Sequence, residues 1–416
     1  MYVNKFKKIA GMLTKAGHLT YCTNIHMGEN WTDHFAAIKD HFPFIKEKIS
    51  PNNPMGIGLR LSNEASIELI KKENLSCFKE WLKEQDAYVF TMNGFPYGGF
   101  HHIIVKDQVH TPDWTTKDRI DYTMRLFHIL TALIPPDLDG GVSTSPLSYR
   151  HWFKTVEQLK VARENSTKNI ILIIENLIEI HKSTGRLLHL DIEPEPDGLL
   201  ETGEEFIEWF ENDLLPVGIP IIKSKFDISK QHAENLIKEH LRLCYDVCHF
   251  AIGYESHHQI INDLEKHGIN IGKIQISAAL KATMDSFENN RKSIKQSFEK
   301  FNEPTYLHQV VAKTSNGKLI RYPDLPEALN DNEHPLIQEW RAHFHVPIFA
   351  EKFGLLSSTQ DEIKEVLSLQ KTKPFTSHLE VETYTWEVLP AELKLPLQDS
   401  IIRELQWVKQ EIDNNG

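Results

Sequence analysis

Short apolar runs alternate along the chain with longer stretches in which apolar residues recur every third or fourth position. HLTYCTNIH, residues 18–26, reads as a first strand. Residues 32–49 read as a helix, because Phe35, Ile38, Phe42, Ile45 and Ile49 fall on one stripe. Pro43 lies inside that stripe and predicts a kink or a break. The second unit is strand 55–62 (MGIGLRLS) with helix 64–83. The third is strand 88–93 with helix 117–134, which Pro135 and Pro136 stop. A short fourth strand over 141–146 precedes a long helical region, 149–184, that ends at Gly185. Further strands fall at 187–192, 241–250, 273–277 and 377–389.

Strand-helix alternation favours a parallel sheet, and eight such units favour a closed (β/α)8 barrel over an open doubly wound sheet. The chain also lacks the GxGxxG and GxxxxGKS/T patterns of the commonest nucleotide-binding open sheets. Strands seven and eight are separated by an unusually long segment, about residues 278–375, with strand-like pieces at 306–312 and 343–349. It reads as an elaborated loop over the C-terminal mouth of one barrel domain spanning 1–416, the alternative being a small separate subdomain.

Composition narrows the partners. A formal net charge of −12 argues against nucleic acid or an anionic membrane as the main partner. Four cysteines in 416 residues are no disulfide framework. Cys244 and Cys248 lie four residues apart in one strand-like run, roughly 13 Å, too far to bridge. A reduced, cytoplasmic protein is expected. Residues 1–11 hold lysines but no apolar run of signal length, and no stretch approaches a membrane-spanning helix.

In a barrel the reactive groups stand at the C-terminal ends of the strands, and acids and histidines gather there. In LLHLDIEPEPDG, Asp191, Glu193 and Glu195 share one face of an extended chain. Three carboxylates on one face repel unless something cationic compensates. Glu193 is therefore a candidate metal ligand and Glu195 a candidate acid or base; Pro194 and Pro196 leave a solvated loop as the alternative. In LRLCYDVCHF, Asp246 interrupts an apolar run, where an unpaired carboxylate is costly. His249 follows three residues later, so the two form either part of a metal site or a metal-free hydrogen bond.

In WRAHFHVPIF, His343 and His345 read as sharing a strand face. Both can ligate, or His345 ligates while His343 meets the substrate. Arg341 has the same parity and is a candidate for an anionic group. In HLEVETYTWEVL, Glu382 is the closing ligand and a candidate proton carrier, with Glu380 as the alternative. Such a carboxylate–imidazole set suits Mn²⁺, Zn²⁺, Mg²⁺ or Co²⁺. His26, Arg60 and Asn93 are candidates to line a substrate pocket, with His101, His102 and His308 as weaker ones; each is otherwise an ordinary loop residue.

The run YDVCHF resembles the Asp-x-x-His strand end of the xylose isomerase-like barrel superfamily, which includes sugar isomerases, keto-hexose epimerases and a zinc-dependent abasic-site endonuclease. The order Glu193, Asp246 with His249, His343 and His345, then Glu382 is similar to that superfamily's order. More narrowly, LTYCTNIHMGENW, GIGLRLS, YVFTMNGFPYGGFH, GVSTSPLSYR, LDIEPEPDG, LCYDVCHF, KIQISAALK, HFHVPIF and HLEVETYTWEVLP resemble the metabolite traffic protein family EboE, over about residues 18–390. That resemblance implies a role in moving or processing a small-molecule metabolite, in gene clusters with membrane proteins that the chain can meet peripherally. One departure stands out. Many superfamily members place a histidine ligand on the seventh strand, where KIQIS carries Gln275. Either its amide oxygen ligates or a histidine of HFHVPIF takes over.

Three functions follow as expectations. The first is a metal-dependent isomerase or epimerase of a polyhydroxylated or carbonyl small molecule. The second is a metal-assisted hydrolase, such as a phosphoesterase, with two or three metals and ligands drawn from His26, His101, His102, His343 and His345. The third is a non-catalytic metabolite-binding scaffold.

Overall fold

The apolar runs become the staves of a barrel. A computed structural model describes residues 14–99, 104–284, 288–387, 389, 394 and 396–414, so His101 and His102 lie outside the described residues. The first seven strands are β1 (His18–Tyr21), β2 (Met55–Arg60), β3 (Ala87–Asn93), β4 (Gly140–Thr144), β5 (Leu188–Ile192), β6 (Leu241–Asp246) and β7 (Ile271–Ile276). Six follow in the long segment: β8 (Leu280–Thr283), β9 (Val310–Thr314), β10 (Leu319–Tyr322), β11 (Ile337–Ala342), β12 (Lys352–Phe353) and β13 (Leu356–Ser358). The last is β14 (His378–Val381).

Strands β1 to β7 and β14 make one parallel sheet in the order β1-β14-β7-β6-β5-β4-β3-β2. Its two ends meet. Cys22 bridges Gly58 in parallel, and the Thr20 hydroxyl accepts from Gly58 N at 3.0 Å and donates to Gly56 O at 2.9 Å. The result is a nearly closed (β/α)8 barrel. Strands β8 to β13 form a separate antiparallel sheet in the order β10-β9-β11-β8-β13-β12.

Both faces of the staves are buried, and they differ. Leu19, Leu190, Leu243, Ile274 and Leu379 join the apolar core, while His189, Asp191, Lys273, Gln275 and Glu380 alternate with them and are also buried. The two-residue period thus separates an apolar layer from a polar lumen. Glycine makes the lumen possible: a Cβ at Gly58 would overlap the Glu380 carboxylate, and one at Gly272 the Asp191 carboxylate. Lys273 pairs with Glu380 at mid-barrel.

Several boundaries differ from the sequence expectation. The helix Trp31–Ile49 runs through Pro43 unbroken, its stripe buried on both sides of the proline. The expected helix 64–83 is two, Asn63–Leu69 and Lys72–Glu84. The strand expected over 241–250 stops at Asp246, because the Asp246 carboxylate accepts from His249 N at 3.2 Å and caps the helix Val247–Ile252. The strand expected over 343–349 is also absent: β11 ends at Ala342, and His343 and His345 follow in irregular chain rather than on a strand face.

Candidate metal centre

The acids arrive by continuing the ladder. Glu193 N donates to Thr144 O at 3.0 Å and Glu382 N to Ile276 O at 3.1 Å, so each stands just beyond its strand. Asp246 ends β6 and pairs in register with Gln275 of β7. Three carboxylates, Glu193, Asp246 and Glu382, thereby converge with ligand atoms within 4.8 Å of one another. The Gln275 amide nitrogen sits among them. It lies 3.1 Å from Glu193 Oε1 and 3.0 Å from Asp246 Oδ2, and it also donates to Glu382. Two amide hydrogens cannot satisfy three acids.

Burial raises the Glu193 carboxyl well above its ordinary range, helped by the charges of Glu382 and Asp246. Burial likewise raises Glu382, and Asp246 and Glu380 add to it. For Asp246 burial pushes upward but is outweighed by His249, His345 and the Ser277 hydroxyl at 2.6 Å, so its carboxyl is held low. Asn24 and Asn93 steady Glu382 by donating to its Oε1 at 2.9 and 2.8 Å.

Three imidazoles face the acids, each anchored through Nδ1. His249 Nδ1 lies 3.1 Å from Pro194 O, His343 Nδ1 2.8 Å from Gln309 Oε1 and His345 Nδ1 2.9 Å from Glu382 O. For His343 and His345 the oxygen accepts, which assigns the proton to Nδ1 and leaves Nε2 a lone pair. His345 Nε2 is buried without a hydrogen bond. Nε2 of His249 and of His343 face each other at 3.2 Å, a contact that a proton or a cation between the two nitrogens satisfies. Burial drives the His343 imidazolium well below its ordinary range and His345 to about 4, so both rings are neutral near pH 7. Asp246, His249 and His345 make a second set of ligand atoms within 4.8 Å. Carboxylate oxygens and neutral imidazole nitrogens fit a divalent metal.

The cluster floors a cavity that opens to solvent. Its walls include Asn24, Asn93, His110, Glu195, Gln309 and Tyr384. Glu195 Oε1 faces His110 Nε2 at 3.0 Å and belongs to neither ligand set.

Of the residues singled out in the sequence, Glu193, Asp246, His249, His343, His345 and Glu382 come together, and Glu195 and Asn93 line the same cavity. Five do not reach it. His26 takes the Tyr21 hydroxyl at 3.0 Å and stacks on His41. Arg60 holds the Pro96 and Gly98 carbonyls. Arg341 is held by Glu339, Glu362 and Ala251 O and does not line the cavity. Glu380 is taken by Lys273, and His308 by His343 O and Glu303. Asn24, His110, Gln309 and Tyr384 were not anticipated. Asn24, Gln309 and Tyr384 stand beside His26, His308 and Glu382 but are themselves uncharged, and His110 is a lone imidazole.

No known protein-family pattern matches the chain, and no curated protein matches it. Solved structures do. One is an IolI protein with a bound zinc atom, at 12% identity and TM-score 0.48, covering 96% of this chain and 98% of that one. Another is a D-tagatose 3-epimerase-like protein, at 11% and 0.47, covering 95% and 97%. A third is a xylose isomerase-like TIM barrel protein from Mycobacterium smegmatis in complex with magnesium, at 8% and 0.44, covering 89% and 87%.

Proposed function

We propose that the chain is a divalent-metal-dependent enzyme that isomerises or epimerises a small polyhydroxylated or carbonyl metabolite. The observation that carries this reading is the convergence of Glu193, Asp246 and Glu382 on one amide nitrogen, beside the His345 imidazole whose Nε2 has no hydrogen bond. Glu193, Asp246 and Glu382 with His345 would hold the metal. Exchanging the oxygen and nitrogen of the Gln275 amide would add a further oxygen without changing shape. A bound divalent ion supplies Lewis-acid polarisation of substrate oxygens.

The remaining work falls to the chain. Glu195, against His110 on the cavity wall, takes a proton from the carbon next to a substrate carbonyl. It returns the proton to the neighbouring carbon on the same face; inverting a single carbon would need a second group, such as Glu382, to deliver a proton from the opposite face. Asn24 and Asn93 keep Glu382 in place, and Tyr384 lines the wall beside it. The finer assignment, an EboE-type role in metabolite traffic beside membrane proteins, is part of the proposal and is supported by the ordered sequence blocks. Among the described residues no helix is long and apolar enough to cross a membrane.

A second reading draws on one observation. The opposed Nε2 atoms of His249 and His343 make a nitrogen-rich subsite beside the carboxylates, which favours a second ion and hydrolytic chemistry. The test is metal content together with solvent-deuterium uptake by a panel of aldoses, ketoses and keto-polyols. One metal per chain with uptake at a carbon next to the carbonyl supports the isomerase. Two or three metals with phosphoester cleavage replace it with the hydrolase. An Asp246→Ala chain that loses metal but keeps full cellular function sinks both in favour of the scaffold.

A further inference from the structure

The opposite, N-terminal end of the barrel carries a second cluster that the proposed reaction does not use. We propose that Asp139, His189 and His378 form a second divalent-cation site, of the zinc type, that braces the barrel floor.

His189 and Asp191 lie two apart on the inner face of β5. His189 Nδ1 is 2.6 Å from Asp191 Oδ1, so that carboxylate accepts the Nδ1 proton and turns a bare Nε2 inward. Carboxylate-backed imidazoles of this kind are how proteins orient metal-binding histidines. His189 Nε2 has no hydrogen bond and points to Asp139 Oδ2 at 3.6 Å. His378, opening β14, places Nε2 3.3 Å from Asp139 Oδ1. The candidate ligand atoms of Asp139, His189 and His378 all lie within 4.8 Å of one another.

Charge and space point the same way. Asp191 is fully buried, its Oδ2 has no hydrogen bond, and Gly141 and Gly272 leave the room it occupies. Asp139 and Asp191 are two carboxylates, and Arg242, 2.8 Å from Asp139, is the fixed cation of the cluster. His18 adds none, since burial and His378 lower its imidazolium to about 4. A dication between the bare His189 Nε2 and the His378 Nε2 that faces Asp139 compensates the remaining negative charge. Two imidazoles and one carboxylate, with water in a fourth position, are a zinc donor set. Access exists, because the Asp139 side chain is 26% exposed while both histidines are buried.

His189 precedes Glu193 by four residues on one stave, so the two sites stand roughly 13 Å apart along the barrel. The strands joined, β5 and β14, are not neighbours in the sheet. The ion would tie opposite walls across the lumen, at the barrel end where stability rather than chemistry resides.

The test is anomalous scattering at the zinc edge from crystals of the full chain grown with zinc. A peak among Asp139, His189 and His378, separate from any peak at Glu193 and Asp246, is expected. Its absence at saturating zinc means that protonated imidazoles do the work, and overturns the proposal. In solution, His378→Gln and His189→Gln are each expected to lose one zinc equivalent per chain and to lower Tm in zinc but not in chelator. Unchanged zinc content in a folded variant also overturns it. Should neither variant fold, the wild-type crystal decides.

Discussion

Loading the strand-end site with a divalent metal at neutral pH is expected to expel protons. Two unit charges 4.8 Å apart, the outer spacing of the Glu193, Asp246 and Glu382 ligand atoms, repel by about 3 kcal/mol at an effective dielectric constant near 20. That is several times thermal energy, and three such pairs exist, with one amide nitrogen at their centre. Without metal the cluster therefore keeps protons on Glu193 and Glu382, the two carboxyls that burial and mutual repulsion raise. Asp246 is held low and carries none. His345, lowered to about 4, and His343, lower still, are neutral and have no proton to give. Binding should release about one to two protons per metal, all from carboxyls. Calorimetric titration of chelator-stripped protein with Mn²⁺ or Zn²⁺, in buffers of different ionisation enthalpy, reads the number directly. Stoichiometric binding with no proton release would refute this account of the site.

Stability should follow the same protons. A carboxyl raised on folding contributes stability that is full below its unfolded value, about 4.5, and that is lost as pH rises through the folded value. Metal-free protein should thus weaken to urea as pH rises above about 4.5, and metal should restore it; a flat profile would count against the raised acids. Asn93→Ala removes a donor to Glu382 and should weaken metal binding by about 10–100-fold while the fold persists, as equilibrium dialysis can show. Glu195→Gln should leave metal content unchanged and cut turnover of whichever substrate takes up deuterium by about 10²–10⁴-fold; intact turnover would remove Glu195 as the base. Gly272→Ala drives a methyl into the Asp191 carboxylate and should cost about 1–3 kcal/mol in denaturant titration, with no cost expected at the open Gly317 tip beyond its backbone strain.

Much of the barrel and its acids could be read before any tertiary contact was known. A two-residue period says which side chains share a face, and eight apolar runs separated by helical stretches count the staves. Asp246 and Glu193 were conspicuous because a carboxylate at the end of an apolar run is expensive to bury without a partner. The same local logic misjudged Arg341, whose parity predicted an anion site but whose guanidinium is spent on Glu339 and Glu362. It also put His343 and His345 on a strand, whereas they lie past the end of β11 in chain held by Gln309 and Glu382.

What the chain alone determined is the alternation of buried faces and the supply of acids at the strand ends, because both depend on neighbours a few residues apart. What only the tertiary structure decided is who meets whom. Asn93 reaches Glu382 across 289 residues, and Gln275 reaches it across 107. Those meetings depend on strand order and on the closing of β1 against β2, and no local period encodes either. The Gln275 amide among three carboxylates, the Glu195–His110 pair and the Asp139–His189–His378 floor exist because the closed sheet brings distant residues into one polar lumen.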